Sequence, residues 1–202
     1  MVGRASLTSA RMASHLHRQV LEFWFGAGSD YGKRHKRWFE KDAAFDAEVR
    51  RRFAGLHERT AVGAEREWLA ERPSCLARIV VLDQFSRHIH RGSPRAFATD
   101  ALALEAARHA VAEGFDLAMV PVERLFTYLP FEHSESIADQ SRACELMEPL
   151  AQFAETNDAH RYALAHRDII ARFGRFPHRN ALLGRPSTPQ ELEFLKEPGS
   201  AF

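Results

Sequence analysis

The sequence predicts an all-α protein, a helical bundle or α-solenoid, and three features carry that prediction. Alanine occurs 31 times against 20 for Val, Ile and Thr together, a balance that favours helix over strand. No stretch alternates apolar and polar residues as a half-buried strand does. Helix punctuation recurs: Ser93–Pro94 reads as an N-cap and first helical residue, Thr188, Pro189 and Glu191 form a capping-box pattern, and Gly174 is placed to end a helix.

Along the chain, the first helix is expected from Ser14 to Phe25. The second runs from Ala43 to Ala61, where Phe45, Val49, Phe53 and Leu56 recur at helical spacing and Asp46 and Arg50 form a solvent-side i, i+4 pair. Ser74 to His90 is apolar nearly all round, through Leu76, Ile79, Val80, Val81, Leu82, Phe85 and Ile89, so it should be central and buried. Further helices are expected from Pro94 to Glu113, Pro121 to Leu129, Ser136 to Glu148, Asp158 to Phe173 and Pro189 to Lys196, with shorter pieces around Trp38 and Trp68. Residues 1–13 carry Arg4 and Arg11, several Ser and Ala and no acid, the composition of a flexible tail or a targeting segment. A single helical domain is therefore expected over residues 14–202.

Of the 202 residues, 45% are hydrophobic and 27% charged, material for one substantial core. With 28 basic and 27 acidic residues the formal charge is +1, so no bulk field recruits nucleic acid or an anionic membrane. The longest apolar stretch, near Ile79 to Leu82, is far shorter than the roughly 18 residues of a membrane span. Cys75 and Cys144 form neither a CxxC pair nor a disulfide framework, which excludes a structural zinc cluster and favours a reducing, cytoplasmic setting.

Three helices turn polar where their apolar stripe should continue. At about 100° per residue, Asp83, Arg87 and His90 prolong the line of Leu76, Ile79 and Val80, and ionised groups do not occupy such a strip uncompensated. Asp83 and Arg87, at i, i+4, can neutralise each other. Projecting Ala143, Leu146, Met147 and Leu150 back one turn lands on Asp139 and Gln140, and His166 sits within the stripe of Tyr162, Ile169, Ile170 and Phe173. Each has a purely structural explanation: an ion-pair clamp for Asp83–Arg87, a capping pattern for Ser136 and Asp139, a hydrogen-bonded core residue for His166. Their joint occurrence is explained more economically by one shared hydrated pocket.

Between Arg161 and Arg185 six arginines accompany one acid, Asp168. Around Gly174 and Pro177 the backbone must turn, which presents Arg175, His178 and Arg179 together as a site suited to a carboxylate or phosphate, unless acids of neighbouring helices pair with them. Pro130 should break the preceding helix and put His133, Ser134 and Glu135 in a turn. Ser134 lacks a GxSxG elbow, so helix capping is its expected job. His133, Glu135, His166 and His178 show no HExxH-like pairing, and neither metal nor cofactor is expected.

The strings LEFWFG (Leu21 to Gly26), VLDQFSRHIHRG (Val81 to Gly92), LPFEHSE (Leu129 to Glu135), DQS (Asp139 to Ser141) and HRDIIARFGRFPHRNALLGRPST (His166 to Thr188) closely resemble the bacterial proteins grouped as domain of unknown function 924. The resemblance covers nearly all of the chain after the tail. It implies an all-helical fold related to tetratricopeptide-like superhelices and no established activity. Ser86, His88 and His90 depart from the family's pattern, which takes His90 out of the candidate site.

Two functions follow as expectations. The first is a protein that binds a small anionic ligand or an acidic peptide end, with Asp83, Arg87, His133, Glu135, Asp139, Gln140, His166, Arg175, His178 and Arg179 around the pocket. The second is a small-molecule hydrolase in which His166 or His133 moves protons, Asp139 or Asp83 orients it, and arginines stabilise developing negative charge.

Overall fold

The computed structural model describes residues 15–200; the expected tail over residues 1–13 lies outside the described residues. Among the described residues the secondary structure is all helical, without strands. The helices are α1 (residues 15–25), α2 (Ala43–Ala61), α3 (Arg72–Ile79), α4 (Ser86–Ile89), α5 (Asp100–Ala112), α6 (Pro121–Glu132), α7 (Ile137–Met147), α8 (Ala159–Phe173) and α9 (Pro189–Phe194), linked by short 3₁₀ turns. Along the chain α5 packs on α6, α6 on α7 and α7 on α8, while α2 covers α4 and α3 lies against α5. No helix is long and apolar enough to cross a membrane, among the described residues.

One aromatic cluster fills the centre: Trp24, Phe25, Phe85 and Phe126 are wholly buried, and Trp24 meets the edges of Phe85 and Phe126 at 5.6 and 5.4 Å. Edge-to-face packing of this kind adds about 1 kcal/mol per pair beyond burial. The expected punctuation is present: Thr188 and Glu191 close a reciprocal capping box, and Gly174, at φ 69°, ends α8 in the left-handed region.

Four local differences from the sequence pattern shape the site. The expected Ser74–His90 helix begins at Arg72 and is interrupted over Val80–Phe85 by a π-helical segment joining α3 to α4. Arg87 still reaches Asp83, but α4 ends at Ile89, and His90, at φ −113° and ψ 23°, has left the helix. His90 accordingly leaves the Asp83 strip and faces His57, with ring centroids 5.3 Å apart. The expected Pro94–Glu113 helix is split into a 3₁₀ turn (Pro94–Phe97) and α5, where the Thr99 hydroxyl donates to the Leu82 carbonyl at 2.6 Å. Pro130 does not end α6, which continues to Glu132; tertiary burial of Leu125 through Glu132 overrides the roughly 3 kcal/mol cost of an interior proline. Asp46 is not on a solvent face: it is buried and accepts from Arg91 and His88, while Arg50 donates to the Ile89 carbonyl.

Candidate functional site

The π segment brings Asp83 to the middle of the protein with no exposed surface. Three donors meet its carboxylate: His133 Nδ1 on Oδ1 at 2.8 Å, Arg87 Nη1 on Oδ1 at 3.1 Å and Gln84 Nε2 on Oδ2 at 2.6 Å. Burial alone would push this carboxyl up, but Arg87 and His133 outweigh it and hold Asp83 far below the usual carboxylate range. The same Arg87 Nη1 also donates to the Asp83 carbonyl at 2.9 Å. Arg87 then reaches Asp100 with two bonds of 2.8 and 3.2 Å, a partner delivered to the first turn of α5 by the helix break at Thr99.

His133 is the C-cap of α6. Its Nδ1 faces Asp83, while Nε2 makes no hydrogen bond among the described residues. Burial and the Arg87 charge lower its pKa, so at neutral pH the ring is neutral, with Nδ1–H donating to Asp83 and a lone pair on Nε2.

Beside it, Glu132 and His166 form a second buried pair, with Nδ1 of His166 3.3 Å from Oε1 of Glu132. That separation would suit an ion pair, yet the environment neutralises both groups. Burial, then the Asp83 charge, pushes Glu132 up to about 8, and burial drives His166 down to about 3. His166 Nδ1 is 2.8 Å from the Tyr162 carbonyl oxygen, which suits an Nδ1–H donor. Burial therefore favours the protonated form of Glu132 and the neutral form of His166.

The loop after α8 closes the cluster. Glu135 binds Arg185 at 2.7 and 3.0 Å and accepts the Phe176 backbone N–H at 2.8 Å, tying the His133 turn to this loop. Arg179, in the 3₁₀ turn Pro177–Arg179, is buried, with Cζ over the faces of Phe97 and Phe176 at 4.7 and 4.5 Å. Burial and Arg87 lower its pKa to about 10. His178 lies beside Phe176 and is driven down to about 4 by burial and by Arg179.

Asp83, Arg87, His133, Glu135, His166, His178 and Arg179 thus belong to one neighbourhood. Three expected members stand apart from its centre. Asp139 binds Arg108 and accepts from the Ser134 hydroxyl at 2.8 Å, replacing the expected Ser136–Asp139 cap. Gln140 Nε2 donates to the Glu132 and Ser134 carbonyls, both at 2.6 Å, satisfying the end of α6. Arg175 grips Glu191 through Nε and Nη2 at 2.6 and 2.8 Å, so the expected anion contact is already filled from α9. The arginine excess of this segment is matched by Asp100, Glu135 and Glu191 from elsewhere in the chain. Two surface grooves, of about 440 and 280 Å³, lie elsewhere and include none of these cluster residues.

Asp100, Glu132 and Arg185 were not singled out from sequence. Glu132 had a signal, a lone acid ending the apolar run from Leu125 to Phe131. Asp100 had none, because its role requires the helix break.

Over residues 20–199 the chain matches the model of the family described as bacterial protein of unknown function (DUF924). The chain belongs to this family. It is similar to a solved structure of a protein of unknown function from Agrobacterium tumefaciens, with 42% sequence identity and a TM-score of 0.82, over 92% of this chain and 99% of that one. No curated protein matches the chain. The DUF924 strings LPFEHSE and HRDIIARFGRFPHRN contribute Glu132, His133, Glu135, His166 and Arg179 to the cluster.

Proposed function

We propose that the protein binds a small anionic ester or phosphate ester at this cluster and hydrolyses it by general acid–base chemistry. One observation carries the reading: His133 pairs Nδ1 with Asp83 Oδ1 at 2.8 Å while its Nε2 makes no hydrogen bond among the described residues. A neutral imidazole fixed by a buried carboxylate is a base aimed in one direction. Water gives a proton to His133 Nε2 as its oxygen attacks the ester, and the leaving oxygen takes the proton held by Glu132. Two carboxyls with environments that push them apart, Asp83 ionised and Glu132 protonated, suit these separate roles. Ser134 is not the nucleophile, because its hydroxyl donates to Asp139 and accepts the Ser136 N–H. Arg87 stands by the developing negative charge.

The test is a panel of p-nitrophenyl esters and phosphates, with and without a free carboxylate. Turnover of at least one compound should fall about a hundredfold or more in His133→Ala and in Asp83→Asn. Undiminished turnover in His133→Ala, or no hydrolysis across the panel, would defeat the reading.

A further inference from the structure

We propose that the unused Nε–Nη2 edge of Arg179 is a carboxylate site, so that the substrate carries a free carboxylate; this rests on the hydrolytic reading of the same cluster. The molecule shows what such an edge does when filled. Arg175 holds Glu191 through Nε and Nη2 at 2.6 and 2.8 Å, and Arg91 holds Asp46 through the same pair at 2.5 and 2.8 Å. Arg179 has the same five donors, yet among the described residues its side chain makes a single hydrogen bond, the long one from Nη1 to Asp100 at 3.4 Å. Among the described residues its Nε is buried without a partner, and its Nη2 makes no hydrogen bond. A guanidinium that is 7% exposed and leaves a whole edge unmatched is costly unless an acceptor arrives.

The shape of the surroundings selects the acceptor. Phe97 and Phe176 present their faces to the guanidinium, so approach is along its edge. A planar carboxylate accepts two parallel N–H bonds from such an edge, as Glu191 and Asp46 do. Lysine offers a point charge without the fork and does not substitute for it. The neighbouring Arg87 already faces two carboxylates at short range, Asp83 at 3.1 Å and Asp100 at 2.8 Å, whereas Arg179 has only the long contact to Asp100.

Sodium benzoate and sodium succinate are the probes, with phosphate and chloride at matched ionic strength as comparisons, read by thermal shift and by the ¹⁵N–¹H resonance of Arg179 Nε. The carboxylates should raise the melting temperature saturably and move the Nε–H resonance, with affinity falling about tenfold or more in Arg179→Lys. Benzoate and succinate contain no ester, so their binding is read without turnover, which separates this site from the proposed chemistry. Stabilisation by phosphate equal to or above that by the carboxylates would overturn the ligand class. Unchanged affinity in Arg179→Lys, or an unmoved Nε resonance in the wild type, would overturn the site, and the resonance decides the matter even if the variant does not fold.

Discussion

Glu132→Gln tests whether this acid is protonated inside the protein. In the unfolded chain the carboxyl releases its proton near its ordinary value of 4.5, whereas in the folded protein burial and Asp83 hold the proton up to about 8. Between those values the native state binds more protons than the unfolded state, so this group lowers stability as pH rises. Glutamine does not titrate. The stability difference, variant minus wild type, should therefore grow by about 3 kcal/mol from pH 4 to pH 7 and level off near 5 kcal/mol above pH 8, at 1.36 kcal/mol per unit. Urea unfolding of both proteins at four or five pH values measures it, and the loss or gain of individual hydrogen bonds appears only as a constant offset. A difference that does not change with pH, or one that moves in favour of the wild type as pH rises, would show Glu132 ionised and paired with His166, and the acid–base assignment would fall with it.

Other outcomes follow from the same physics. Hydrolysis should show a bell-shaped pH profile, rising through the lowered His133 pKa below 6.5 and falling near 8 as Glu132 ionises; Glu132→Gln, if active, should lose the alkaline fall. His57 is buried with both ring nitrogens unpartnered, and burial and His90 hold its pKa at about 4. The unfolded state therefore gains protons the native state refuses as pH falls from 6.5 towards 4, and His57→Leu should gain about 2 kcal/mol more at pH 5 than at pH 8, measured by urea unfolding; an equal gain at both would contradict this. Cys75, with its thiol pushed up to about 12 by burial, and Cys144, also raised by burial, should resist a disulfide reagent at pH 8 until the protein unfolds. A fast native-state reaction would count against the packing described. Gly174→Ala should cost about 1 kcal/mol in thermal unfolding, since the site is open but its φ of 69° strains a side chain, and Gly174→Asn should cost less.

The sequence by itself determined what depends on local periodicity and chemistry. The helical class, the capping box at Thr188, the stop at Gly174 and the Asp83–Arg87 pair are all encoded within a turn or two of chain, where spacing and propensity act directly. Burial of Asp83 and His166 was also legible, because a polar residue on an apolar stripe has nowhere else to go. Tertiary structure decided the partners. Whether Arg175 or Arg179 is free depends on Glu191 and Asp100, which belong to other elements, and Asp100 faces Arg87 only because Thr99 turns to the Leu82 carbonyl. The end of α4 at Ile89 turned His90 away, and Pro130 stayed helical because a buried run outweighed its local penalty. Charge state was the last property to be fixed: Glu132 keeps its proton through burial and the field of Asp83, sums over the whole surroundings that no single stretch of sequence contains.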